Sequence, residues 1–120
     1  SEPSPEIAAI ETSNVNWSKL HKALELVVEG PSGTARRLSE LKPFKVAAKT
    51  GTAELVSLDS KEAYAEIRSD VLQRDHAIII AFGPIPNPEY AVSVVIENGE
   101  SGGLVAGPVA VEVLKKLIER

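Results

Sequence analysis

The run Ala47-Ala48-Lys49-Thr50-Gly51-Thr52-Ala53 holds the groups best suited to binding an anion. In an extended strand, side chains alternate between faces, so Thr50 and Thr52 share one face and Lys49 and Gly51 the other. Two hydroxyls facing a cleft can donate to a carboxylate while a nearby ammonium supplies charge. Gly51 weakens a strand interior, which suggests that another backbone or a ligand comes close. The spacing alone favours a plainer reading, a Thr-rich edge strand with a solvated lysine.

A second candidate is Gly99-Glu100-Ser101-Gly102-Gly103, which satisfies G-x-S-x-G. It falls between a predicted strand and a predicted helix, where a nucleophile elbow sits. That chemistry also needs an acid and then a histidine downstream of the serine. Only 17 residues follow Gly103 and none is His, so the segment reads as a Gly-rich strand-to-helix turn. His21 and His76 are far apart and there is no cysteine, which is not a zinc ligand set. No metal and no cofactor are implied. His21 reads as a helix-surface residue and Asp75-His76 as a strand-entry pair. Glu62, Glu66 and Arg68 read as a solvated face. Among the few aromatics, Trp17 is expected as a core anchor and Tyr64 as an exposed residue.

Positioning these groups requires a scaffold. Ser1 to Ser13 is rich in Pro, Ser and Glu, and residues 1–15 read as a flexible lead-in or trimmed linker. A helix is expected from Trp17 to Glu29, because Trp17, Leu20, Leu24, Val27 and Val28 recur at helical spacing. Asn14 or Asn16 would cap it, and Gly30-Pro31 would stop it. A short helical segment is expected over Thr34–Glu40. Phe44–Ala53 reads as a strand, and a polar insertion follows over Glu54–Arg74, with an exposed helix over Lys61–Leu72. His76–Gly83 is a near-continuous apolar run, expected to be buried on both faces. Tyr90–Glu97 is β-rich, and the Pro-rich loop between these two runs predicts an antiparallel hairpin. A last helix runs from Leu104, with Val105, Val109, Val113 and Leu117 as its stripe and Leu114 and Ile118 beside it. The order predicts an α+β fold with an antiparallel sheet and a packed C-terminal helix.

Composition narrows the classes. The chain has 120 residues, 43% hydrophobic and 25% charged, with net charge −4. That is a globular balance and enough for one core. No basic block is present, which argues against nucleic acid as a partner. The longest apolar runs are too short to cross a bilayer. With no initiator Met and no signal peptide, Ser1 reads as a cut end of something longer.

Lys-Thr-Gly is the third motif of penicillin-binding proteins and class A β-lactamases. The run Lys49–Ala53, followed after an insertion by HAIIIAFGPIPNPEYAVSVVIENGESGG and an amphipathic helix, resembles the end of a class B penicillin-binding protein of the elongation type (penicillin-binding protein 2-like). Gly33-Thr34-Ala35 after a helix is similar to that family too. The resemblance covers residues 16–120 as the C-terminal part of a transpeptidase domain, in the serine β-lactamase/transpeptidase-like fold.

The resemblance implies a peptidoglycan D,D-transpeptidase that cross-links stem peptides through an acyl-serine intermediate. Lys49 and Thr52 would be catalytic, and Lys49, Thr50, Gly51 and Thr52 would bind substrate. Lys49 would supply charge, the Thr50 and Thr52 hydroxyls would hold the carboxylate, and the Thr52 N–H would complete an oxyanion hole. The implied partners are the D-Ala-D-Ala stem peptide, β-lactams and proteins of the elongation complex. The family acts at the extracytoplasmic face of the bacterial inner membrane, anchored by an N-terminal helix that this chain lacks. The family's S-x-x-K and S-x-N/D motifs are also missing in family-like positions, since Thr12-Ser13-Asn14 lies too close to Lys49. These 120 residues alone are therefore expected to be inactive, with the nucleophile on upstream sequence. The competing expectation is a non-catalytic module that binds peptide or a partner on the same fold.

Overall fold

The computed structural model describes residues 10–54 and 71–120. Helix α1 (Asn14–Glu29) begins at a serine cap: the Ser13 side chain accepts from the Asn16 N–H at 3.3 Å. The helix thus starts three residues earlier than the apolar stripe suggested, inside the expected lead-in, and neither Asn14 nor Asn16 is the cap. Gly30 ends it by donating its N–H to the Leu26 carbonyl at 2.9 Å. Gly30 is extended, with φ −70° and ψ 150°, as the residue before Pro31 must be. A Cβ there would overlap the Leu26 carbonyl oxygen.

A 3-10 segment (Arg36–Leu41) leads into the sheet. Strands β1 (Lys45–Ala53), β2 (His76–Ile85) and β3 (Tyr90–Ile96) lie in the order β1-β2-β3, both pairings antiparallel. The hairpin forms as expected, and β2 runs two residues further than its apolar run. Pro84 fits inside this central strand because the register shifts there: Lys45 faces Ile85 and Ala47 faces Phe82, one extra residue on β2. A bulge is where a strand tolerates a residue without an N–H. The helix expected over Lys61–Leu72 lies almost wholly outside the described residues; Val71–Gln73 form a 3-10 turn.

One sheet face carries the core. Val46 and Ala48 of β1, Ala77, Ile79 and Ala81 of β2 and Val94 of β3 are buried there with Leu38 and Leu41. A wide π-type turn (Gly102–Ala106) opens into helix α2 (Gly107–Ile118). Its buried residues are Gly107, Ala110, Val111 and Leu114. This corrects the expected stripe, since Val105, Val109 and Val113 are exposed. Helix α2 packs on β2, β3 and the 3-10 segment, with Gly107 beside Arg37 and Leu38 of that segment and Ala110 and Leu114 fully buried.

The other sheet face is covered only in part. Helix α1 packs on β1, and the His21 ring sits 5.5 Å from the Phe82 ring. Beyond it Ile80 is 50% exposed and Val95 56%. The apolar run of β2 is therefore buried on one face and half open on the other, not buried on both. Trp17, 37% exposed, is no core anchor; it rests edge-on against His21 at 6.4 Å.

Candidate active site

Among the described residues, strand β1 pairs with β2 on one side only, so Lys49 to Thr52 run along a sheet edge. Thr50 lies opposite Ile79 and Thr52 opposite Ala77, on the core face; Lys49 and Gly51 point to the other face. At an edge the two faces meet, and all four residues line one open cleft of about 480 Å³. The cleft's remaining lining comes from Glu100–Gly103 and Thr34. Three segments distant in sequence thus share one wall.

Backbone contacts bring the segments together. A Cβ on Gly102 would overlap the Ile78 carbonyl oxygen and come within 2.9 Å of the Gly51 carbonyl oxygen. A Cβ on Gly103 would overlap the Thr34 carbonyl oxygen. The turn before α2 can therefore reach β1 and the Thr34 loop only as glycine. At Gly51 itself, an added Cβ would meet Ile78 Cβ at 3.6 Å, an ordinary contact. The close neighbour of Gly51 is at its carbonyl, and the residue that must be small is Gly102.

The turn from β3 to α2 is tied to the start of β2. Asn98, at φ 55°, donates its side-chain amide to the Leu72 and Arg74 carbonyls at 3.0 and 2.9 Å. Its N–H donates to His76 Nδ1 at 3.0 Å. Glu100, at φ 59°, donates its N–H to the Asp75 carbonyl at 2.9 Å. A left-handed glutamate costs about 1 kcal/mol, and these ties hold it there. Its carbonyl faces Thr52 Oγ1 at 3.5 Å.

Polar groups in the cleft are held in turn. Lys49 Nζ donates to the Thr50 carbonyl at 2.6 Å. The Thr50 hydroxyl bridges to the Thr34 hydroxyl at 2.7 Å. Ser101, the serine of G-x-S-x-G, accepts from the Leu104 N–H at 3.3 Å and caps the π-type turn. It lines the cleft as a cap, and among the described residues no histidine lines the cleft beside it. Thr34 and Asn98 were not singled out as site residues by sequence, because their partners lie 16 to 26 positions away. The Gly-Thr-Ala and Asn-Gly pairs were the available signals. Among the described residues, no group of three or more His, Cys, Asp or Glu could hold a metal. No helix among them is long and apolar enough to cross a membrane.

Comparison with known proteins identifies the family. The sequence matches the penicillin binding protein transpeptidase domain over residues 1–116. The peptidoglycan D,D-transpeptidase MrdA of Salmonella typhimurium is 31% identical over 103 residues, covering 86% of this chain and 16% of that protein. The chain thus spans well under a quarter of the curated relatives it matches. Pseudomonas aeruginosa penicillin-binding protein 2, solved in complex with WCK 5153, superposes with a TM-score of 0.74 at 32% identity. That match covers 98% of this chain and 23% of the Pseudomonas chain. Penicillin-binding protein 2 of Helicobacter pylori, solved with MreC, gives a TM-score of 0.67 at 28% identity over 90% of this chain and 18% of its own. An α+β arrangement with a three-stranded antiparallel sheet, these relatives and the domain match agree: the chain belongs to the penicillin-binding protein transpeptidase family.

Proposed function

We propose that this chain forms one wall of a serine D,D-transpeptidase site that cross-links peptidoglycan stem peptides. The observation that carries the reading is that Lys49, Thr50 and Thr52 line one open cleft at a sheet edge. A peptide ending in D-Ala-D-Ala lays its backbone along the free edge of β1, as an added strand does. Its terminal carboxylate receives the Thr50 and Thr52 hydroxyl protons, and Lys49 supplies the positive charge. The Thr52 N–H donates to the oxygen that becomes negative as the carbonyl is attacked.

The nucleophile comes from an S-x-x-K serine on sequence preceding this chain. Its hydroxyl adds to the penultimate D-Ala carbonyl, the bond to the last D-Ala breaks, and the acyl group passes to an amine of a second stem peptide. β-Lactams acylate the same serine because they carry an acyl group and a carboxylate at similar spacing. The full protein works on the outer face of the cytoplasmic membrane, anchored by an upstream helix. By analogy with the MreC complex of the Helicobacter relative, its partner is a protein of the elongation complex.

The test labels the full-length protein with a fluorescent penicillin beside its Lys49→Ala variant. The expected result is covalent label on a peptide preceding Ser1, with acylation slowed on the order of 10²–10³-fold by the substitution. A folded full-length protein that takes no label would instead be a non-catalytic module on this fold.

A further inference from the structure

We infer that Thr34 is a positioning residue of the same cleft: its hydroxyl donates to Thr50 Oγ1 and so turns the Thr50 proton toward the substrate carboxylate. The inference rests on the reading that Thr50 binds that carboxylate. The two hydroxyl oxygens are 2.7 Å apart, a full hydrogen bond in which either can donate. Each hydroxyl has one proton, and a carboxylate only accepts. If Thr50 spent its proton on Thr34, its lone pairs would face the anion and repel it. Donation from Thr34 to Thr50 frees the Thr50 proton and polarises it.

Thr34 is held for this task from both sides along its backbone. The Gly33 N–H donates to the Gly30 carbonyl and the Ala35 N–H to the Val27 carbonyl, each at 3.0 Å, tying the loop to the end of α1. Ala35 is fully buried. Gly103 packs against the Thr34 carbonyl, where any Cβ would overlap it, and a Cβ added there would also lie 3.7 Å from Thr50 Cγ2. Thr34 lines the cleft, and its hydroxyl meets that of Thr50, another lining residue. A fixed backbone with a hydroxyl at the cleft is how a binding group is preorganised by its support.

The test measures acylation of the full-length protein by benzylpenicillin and by its methyl ester, which lacks the anionic carboxylate. Thr34→Val is expected to slow benzylpenicillin acylation about ten-fold, the worth of one hydrogen bond to a charged ligand. It should leave the ester rate within about two-fold, because no charge is there to recognise. Thr34→Ser, which keeps the hydroxyl, should restore the preference for the free acid. Thr34→Val combined with Thr50→Val should lose no more than Thr50→Val alone, as members of one chain do. Equal losses on acid and ester, or a serine variant as poor as the valine, would overturn the inference by showing a merely structural role. If Thr50→Val loses the preference and Thr34→Val keeps it, this inference alone falls. If Thr50→Val keeps it, the carboxylate reading of Thr50 falls, and this inference with it.

Discussion

At the scale of single residues, the glycines separate packing from ligand access. Gly102 and Gly51 face each other across the junction of β1 and the α2 turn, but they answer differently to an added methyl. Gly102→Ala would push a Cβ into the Ile78 carbonyl oxygen, a backbone atom that cannot swing away. The expected cost is about 2 kcal/mol or more, read as a lower unfolding midpoint, with acylation falling as the walls of the cleft part. Gly51→Ala meets only an ordinary contact at 3.6 Å and should stabilise β1 by about 0.5–1 kcal/mol, the usual cost of glycine in a strand. If Gly51→Ala slows acylation while raising stability, glycine is kept there for the ligand. If both acylation and stability rise, Gly51 has no role in the site. The sequence pointed at the Lys-Thr-Gly-Thr run, at the Gly99–Gly103 turn and at Gly33-Thr34-Ala35, but gave Thr34, Asn98 and Gly102 no part in that site. A pattern local to one strand was visible, while the residues that fix its hydroxyls and its neighbouring turn meet it only after folding.

At the scale of elements, periodicity located most of the described helices and strands, and Gly30-Pro31 marked the end of α1, but Pro84 did not end β2, which runs through it to Ile85 at a bulge. What periodicity could not choose was the face. Val105 of the π-type turn and Val109 and Val113 of α2 form the more conspicuous apolar stripe, yet Gly107, Ala110 and Leu114 are buried. Hydrophobicity ranks the valines higher, yet the core takes Ala110, Val111 and Leu114 from this helix. Leu114 is fully buried among Ala110, Leu38 and the sheet, so Leu114→Ala should cost about 2–5 kcal/mol. Ala110→Leu should cost about 1–3 kcal/mol by overpacking the same contact. Urea unfolding of the full-length protein's transpeptidase domain checks both. A neutral Ala110→Leu would mean that α2 stands off the sheet. Trp17 teaches the same lesson from α1: it obeys the helical spacing but is exposed, resting edge-on against His21.

At the scale of the whole molecule, the core is one-sided. The face bearing Ile80 and Val95 is covered by α1 only near Phe82, the valine side of α2 is exposed, and β3 has a partner on one edge alone among the described residues. An unpaired edge beside exposed apolar side chains is a template for association. Stability should therefore grade across the sheet. Amides of β2, paired on both sides, should exchange slowest; those of β3 pointing to its outer edge should exchange at rates set by local opening. The prediction is that the isolated 120-residue chain self-associates at micromolar concentration and protects β3 poorly, whereas in the full-length protein the β3 amides are protected as well as those of β2. Hydrogen exchange followed by mass spectrometry on both proteins decides the matter. An isolated chain that stays monomeric and protects β3 as the full-length protein does would show that the one-sided core suffices for folding. The exposed Ile80, Val95 and α2 valines would then have to be explained as surface, not as buried faces waiting for the rest of the domain.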